Sequence, residues 1–166
     1  MLSFRLPIFS LLLLAVAGCG FQARGTATFP EEFAATYIDT SNRYSAFYQE
    51  LVAALRSSNL TLVDSSIAAQ TVIRITLDET GRRVQSVSPR NVPREFEVYY
   101  SVRYSVLMNG IEVLEQQTLS RNRDYTYNET LVLGKSLEEE GLRRALAADL
   151  VELVLRRVDT LDQPSR

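Results

Sequence analysis

The segment Glu95-Phe-Glu-Val-Tyr-Tyr-Ser-Val-Arg-Tyr-Ser-Val-Leu-Met108, followed by Asn109-Gly110 and then Ile111-Glu-Val-Leu114, decides how this 166-residue chain is read. Apolar or aromatic side chains recur at every second position: Phe96, Val98, Tyr100, Val102, Tyr104, Val106 and Met108. Glu95, Glu97, Tyr99, Ser101, Arg103 and Ser105 occupy the alternate positions. Side chains alternate faces along a strand, so this is a long strand with one apolar and one polar face. Asn-Gly is the preferred pair for a type I′ turn, so a return strand is expected from Ile111 to about Tyr125. A two-residue loop pairs Met108 with Ile111 and Val106 with Val113. It then sets Tyr104 opposite Glu115, a mismatch that points to a bulge or to the end of core coverage.

Working outward, Thr71–Asp78 alternates with Ile73, Ile75 and Leu77 on one face and Arg74 and Thr76 on the other. A turn is expected at Thr80-Gly81, a weaker strand over Arg82–Val87, and a proline-broken loop over Ser88–Pro93. Upstream, Tyr37–Thr40 is a candidate first strand. Asn42–Ser57 carries Phe47, Leu51, Ala54 and Leu55 at helical spacing, with Tyr44, Tyr48 and Val52 alongside. Ser41 or Asn42 is the expected N-cap and Asn59 the left-handed stop. Downstream, Ser136-Leu-Glu-Glu139 has the form of a capping box, placing a helix start at Leu137. Leu142, Leu146, Leu150, Leu153, Val154 and Val158 form that helix's apolar stripe. Two amphipathic helices and hairpin-linked strands define an α+β fold. The expectation is a two-layer sandwich, with two α-helices on one face of a mixed, mostly antiparallel sheet of about four strands.

The N-terminus carries a different message. Arg5 precedes an apolar run over Leu6–Ala17, ending in Val16-Ala-Gly-Cys19. The run is too short to span a bilayer and has the layout of a secretory signal. Small residues before the sole cysteine form a lipobox. Attachment of diacylglycerol to the Cys19 thiol, cleavage before Cys19 and acylation of the freed amine would anchor the chain, since two or three acyl chains hold stably where one does not. The competing reading is an ordinary signal with a chance cysteine. Gly20 after the cysteine, rather than Asp, favours the outer membrane. The layout is therefore residues 1–18 as cleaved signal, 19–35 as lipidated tether, 36–160 as one domain and 161–166 as a tail. With its one thiol committed to lipid, the domain can have no disulfide.

Composition narrows the function. Histidine is absent, which removes His-based metal sets and Ser-His or Cys-His nucleophiles; the scattered glycines form no phosphate loop. No catalytic or metal-binding residue is assigned. The net charge of −2 does not suggest a nucleic-acid partner. Seventeen of the 18 basic residues are arginine, the exception being Lys135.

The opening Cys19-Gly-Phe-Gln-Ala-Arg-Gly25 is similar to the Cys-Gly-aromatic-x-Leu-Arg-Gly start of the LptE-type lipopolysaccharide-assembly lipoproteins, with Ala23 where the family has Leu. The strand Glu95–Tyr104, the late Arg121-Asn-Arg-Asp-Tyr125 and the C-terminal helix resemble the family's elements in order and spacing. The resemblance covers roughly residues 19–160. It implies two helices on a four-stranded sheet and a non-enzymatic role without cofactor: a plug inside an LptD-type outer-membrane β-barrel that helps assemble it and binds lipopolysaccharide. Such a protein sits on the periplasmic face of the outer membrane. The rival reading is an auxiliary lipoprotein of an envelope lipid or solute transporter that enters no barrel.

Lipopolysaccharide carries phosphates, which Arg and Lys recognise. Between Arg82 and Lys135 lie eight basic and six acidic residues. Arg90 and Lys135, in expected loops at element ends, are the candidate phosphate contacts, with Arg94, Arg121 and Arg123 in support. Tyr99 and Arg103 on the polar strand face, and the tip Asn109-Gly110, are the candidate barrel contacts. Neutralising Arg90 and Lys135 together should weaken binding of lipopolysaccharide to purified protein while leaving its circular dichroism unchanged; a double variant that binds as well as wild type would remove this assignment.

Overall fold

A computed structural model describes residues 31–126 and 132–162; the lipobox and Cys19 lie outside the described residues. Five strands form one sheet: β1 (Ala35–Asp39), β2 (Thr61–Leu62), β3 (Thr71–Val87), β4 (Pro93–Met108) and β5 (Ile111–Thr126), in the spatial order β2-β1-β3-β4-β5. β1 runs parallel to β2 and β3, whereas β3, β4 and β5 are mutually antiparallel. Helices α1 (Ala46–Ser57) and α2 (Val132–Asp159) pack on each other and on the sheet. The expected α+β two-layer class is therefore observed, with the two-residue β2 as an additional strand.

The core lies between helices and sheet. Val98, Tyr100, Val102, Tyr104 and Val106 of β4 are buried, as the alternation requires. They meet Phe47, Leu51 and Leu55 of α1 and Leu146, Leu150, Val154 and Val158 of α2. Phe33, inside the stretch read as tether, is fully buried in the same core.

The hairpin forms as expected: Asn109 and Gly110 have φ of 50° and 81°, and Met108 faces Ile111. The bulge comes sooner than expected. Val106 pairs with Leu114 instead of Val113, and a second shift sets Tyr104 opposite Gln117 rather than Glu115. Each extra residue exchanges the faces of β5. Leu114, Leu119 and Tyr125 are thereby brought to the core side.

β3 departs further from expectation. No turn occurs at Thr80-Gly81; a single strand runs through to Val87. Gly81 lies opposite Tyr99, and the tyrosine ring covers it so closely that a Cβ would sit 2.7 Å from the Tyr99 hydroxyl. The glycine thus marks a close cross-strand approach rather than a chain reversal. Thr76 is an extra residue between the Ile75–Tyr104 and Leu77–Arg103 pairs. The bulge puts Leu77 in register with the outer face and turns Asp78 toward the helices, the reverse of uninterrupted alternation.

Asp78 explains where α1 begins. Helix α1 starts at Ala46, later than the expected Asn42, with Ser45 as its cap. The Ser45 hydroxyl accepts from the Tyr48 N–H at 3.1 Å and donates to Asp78. Tyr100 Oη donates to the other Asp78 oxygen at 2.7 Å and accepts from the Phe47 N–H at 3.1 Å. Burial, then the hydrogen bond to Asp78, push the Tyr100 phenol far above its ordinary range, so it stays a donor. Asn42 closes a turn on the Tyr44 N–H instead, and Tyr44 is 91% exposed rather than in the core. Asn59, at φ 60°, ends the helix as expected, with the Leu60 N–H bonded to the Leu55 carbonyl.

Helix α2 begins at Val132, before the expected Leu137. Glu139 does not act as the N3 residue of a capping box. It accepts from Tyr125 Oη at 3.1 Å and Arg82 Nη1 at 3.0 Å, and pairs with Arg143 one turn on.

Tyr100→Phe should destabilise the domain by about 1–3 kcal/mol, because it leaves the buried Phe47 N–H without its acceptor. Urea unfolding measures this; a loss under about 0.5 kcal/mol would show that water replaces the hydroxyl.

Candidate functional site

The outer face of the β3-β4-β5 ribbon is built from the residues that alternate with the core. With β4 unbulged from Glu95 to Met108, Glu97, Tyr99, Ser101 and Arg103 form its central row. Each is met by a partner across a strand boundary. Ser101 and Ser120 share a hydroxyl hydrogen bond of 2.8 Å, and Arg103 Nε donates to Thr118 Oγ1 at 3.3 Å. Tyr99 Oη donates to Glu79 at 3.2 Å, while the Arg83 guanidinium lies 5.7 Å from the Tyr99 ring centre. Arg83 also donates to Glu97, whose second oxygen accepts from Asn122 Nδ2 at 2.6 Å. Glu97 is 5% exposed. The Arg83 and Asn122 hydrogen bonds hold its carboxyl below the usual carboxylate range. The face is polar and hydrogen-bonded: Arg83 and Glu97 are ion-paired, whereas Arg103 meets a hydroxyl.

At the far end of the ribbon, the Ser88–Val92 loop closes β3 on β4. The Ser88 N–H donates to the Val92 carbonyl at 2.7 Å, and Asn91 is left-handed at φ 60°. Arg90 is exposed on this loop, and Arg94 is exposed at the second position of β4, where it is the extra residue between the Ser86–Glu95 and Val87–Pro93 pairs. Neither makes an ion pair among the described residues. The helix side of this end is closed by Phe96 stacked on Tyr125, with ring centres 5.7 Å apart, and by Arg82 over Phe96. Burial raises the Tyr125 phenol.

The candidate residues do not all converge. Arg90 and Arg94 share the loop end. Arg121 and Arg123 lie opposite Tyr100 and Val98, well back along the ribbon. Arg123 is committed to Asp149 at 2.9 Å, and Arg121 to the Ser120 carbonyl at 3.3 Å. Lys135 is in the first turn of α2 rather than in a loop, and its side chain lies outside the described residues. Tyr99 and Arg103 share the outer face, but Asn109-Gly110 is at the opposite end of β4 from Arg90. At ~3.3 Å per residue those ends are about 50 Å apart. Sequence reading missed Asn122, Gln116 and Arg83 as members of the outer face. Gln116 bonds Thr76 at 2.9 Å, so both belong to bulges that no single-strand alternation reveals. No group of three or more His, Cys, Asp or Glu residues that could hold a metal occurs among the described residues.

This helix-backed sheet is the architecture of small bacterial lipoproteins. It is similar to a lipoprotein B from Nitrosomonas europaea, with a TM-score of 0.70 and 26% identity over 85% of this chain and 91% of that one. It shares its fold with the rare lipoprotein B of Shewanella oneidensis, with a TM-score of 0.65 and 24% identity over 76% and 94% of the two chains. Residues 33–158 match the family described as LptE, lipopolysaccharide-assembly, and the chain belongs to that family. It is also similar to the LPS-assembly lipoprotein LptE of Yersinia pestis, at 26% identity over 93% of this chain and 74% of that protein. The family is one of envelope lipoproteins with an accessory, non-enzymatic role in lipopolysaccharide assembly.

Because the Glu97 carboxyl is depressed, its contribution to stability should be present above the ordinary glutamate pKa of about 4.3 and lost as pH falls through the lower folded value. The stability difference between wild type and Glu97→Gln, followed by urea unfolding from neutral pH down to pH 3, should shrink across that window. A difference independent of pH would mean that the charge is immaterial.

Proposed function

We propose that the chain is acylated on Cys19, held at the periplasmic face of the outer membrane, and inserted as a plug into an LptD-type barrel that it helps assemble. There it binds lipopolysaccharide during delivery to the outer leaflet. The observation that carries this reading is the outer sheet face. Glu97, Tyr99, Ser101 and Arg103 present a polar surface already satisfied by neighbours on β3 and β5. Barrel interiors are polar, so a domain lodged in one must offer a polar surface whose groups are hydrogen-bonded. Tyr and Arg, abundant here, are the side chains that most often anchor interfaces. Family membership supplies the pathway, and the lipobox supplies the anchor.

Phosphate contact falls in this reading to Arg90 and Lys135, supported by Arg94, Arg121 and Arg123. Exposure of Arg90 and Arg94 at one loop end favours them. Arg123 would have to leave Asp149 to take part. Barrel contact falls to Tyr99 and Arg103 on the face and to Asn109 and Gly110 at the tip.

Mild detergent extraction followed by pull-down on a C-terminal tag tests the partner. One large, heat-modifiable outer-membrane protein is the expected companion, whereas recovery of transporter subunits would favour the auxiliary-lipoprotein reading. Photo-crosslinkers at positions 99, 103 and 109 should capture that same large protein. Capture of small soluble partners alone would count against the plug.

A further inference from the structure

At the end of the molecule opposite Arg90, four chain segments meet in one row. Ala35 opens β1 and pairs with Thr61 of β2. The Gln70 N–H donates to the Ala35 carbonyl at 2.9 Å, and the Asn109 N–H donates to the Gln70 carbonyl at 2.7 Å. These bonds tie the chain entry, the β2–β3 connection and the β4–β5 hairpin to one another. Two isoleucines project from this end. Ile67 is 96% exposed and Ile111 is 70% exposed.

Their exposure is built in. Ile67 occupies a single 3-10 turn, Ser66–Ala68, capped by Ser65, whose hydroxyl accepts from the Ile67 N–H at 3.2 Å. The flanking Ser65, Ser66, Ala68 and Ala69 are small and uncharged. Ile111 follows the Asn109-Gly110 turn directly and is likewise preceded by uncharged residues. Single exposed apolar residues are common on protein surfaces. Here two β-branched side chains, Ile67 among small neutral residues and Ile111 between the neutral Asn109-Gly110 turn and the exposed Glu112, lie at the end at which the chain enters the fold. Cys19 lies only fourteen residues before the buried Phe33.

We propose that this end is a membrane-contact surface: Ile67 and Ile111 insert between the headgroups of the phospholipid leaflet that holds the anchor. The inference rests on acylation of Cys19 and not on the barrel. Acyl chains tether the domain without orienting it. Two apolar points on separate loops, added to the tether, define a plane and so set the long axis of the β3-β4-β5 ribbon away from the leaflet. The Arg90 loop then stands farthest from the anchoring leaflet. Once the domain is lodged in a barrel lumen the wall separates this end from the lipid, so the contact belongs to the anchored domain before insertion.

The chain has no tryptophan, so a single one reports its own surroundings. Full-length protein carrying Ile67→Trp, Ile111→Trp or, at the opposite end, Val87→Trp is purified in lipidated form. It is reconstituted into vesicles of phosphatidylethanolamine and phosphatidylglycerol with brominated acyl chains. The first two variants should show blue-shifted emission and severalfold quenching, and Val87→Trp neither. Equal quenching at all three positions, or none at 67 and 111, overturns the proposal. A blue shift without quenching also overturns it, by assigning the surface to a second copy of the chain. The acyl mass is checked on the same preparation. Its absence overturns the anchor together with this inference, whereas its presence without quenching overturns the membrane surface alone.

Discussion

Strand β4 has to satisfy two surroundings at every residue pair, and the rest of the fold is arranged around that demand. Its even positions from Val98 to Val106 are sealed under the helices, while its odd positions from Glu97 to Arg103 form the centre of a polar face. The period of two is kept without interruption from Glu95 to Met108. Over that span, phase errors are absorbed by the neighbours, at Thr76 and near Gln85 in β3 and at Val113 and beyond Leu114 in β5; the one extra residue of β4, Arg94, lies before it. A slip of one residue would exchange core for surface along a whole strand, so each bulge is the local cost of keeping β4 fixed.

The bulges also decide which polar groups reach the helices. The shift at Thr76 turns Asp78 inward, where it accepts from Tyr100 and Ser45 and so locates the first turn of α1. The same phase puts Arg82 on the helix side, where it meets Glu139 of α2 beneath the stacked Phe96 and Tyr125. Both helices are therefore registered against the sheet by a carboxylate accepting several hydrogen bonds, in addition to apolar contact. Apolar packing is non-directional and would tolerate a helix sliding by a turn; these junctions do not.

This arrangement accounts for what could be read from the sequence. β4, its Asn-Gly turn and the stripe of α2 were legible because each is a local pattern of one period. The class of fold followed from them. The unbroken course of β3 was not legible, since Gly81 is a turn residue in isolation and becomes a strand residue only when the Tyr99 ring covers it. The starts of both helices were missed for a related reason. Ser41-Asn42 and Ser136–Glu139 have the composition of caps, but Ser45 is selected by Asp78, and Glu139 is claimed by Tyr125 and Arg82. Those partners lie 33 residues away for Ser45 and 14 and 57 away for Glu139. The candidate site was legible to the same extent. Tyr99 and Arg103 follow from alternation in β4, whereas Arg83, Asn122 and Gln116 depend on bulges in the adjoining strands.

The two ends of the ribbon differ in a way that bears on orientation. One carries Arg90 on an exposed loop and Arg94 exposed at the start of β4, with Val84 and Val87 half exposed behind them. The other gathers the chain entry, two uncharged turns and two isoleucines. In the reading proposed above, a ligand with phosphates and acyl chains would meet the first end and a bilayer surface the second. The β4 strand between them is about 50 Å long at ~3.3 Å per residue, more than the ~30 Å hydrocarbon thickness of a bilayer. In the plug reading, a domain held by lipid at one end and enclosed by a barrel lumen along its polar face would present its basic loop on the far side of the membrane core. Cationic recognition and lipid attachment would then act at opposite ends of one ribbon, with the hydrogen-bonded polar face lying along the lumen between them.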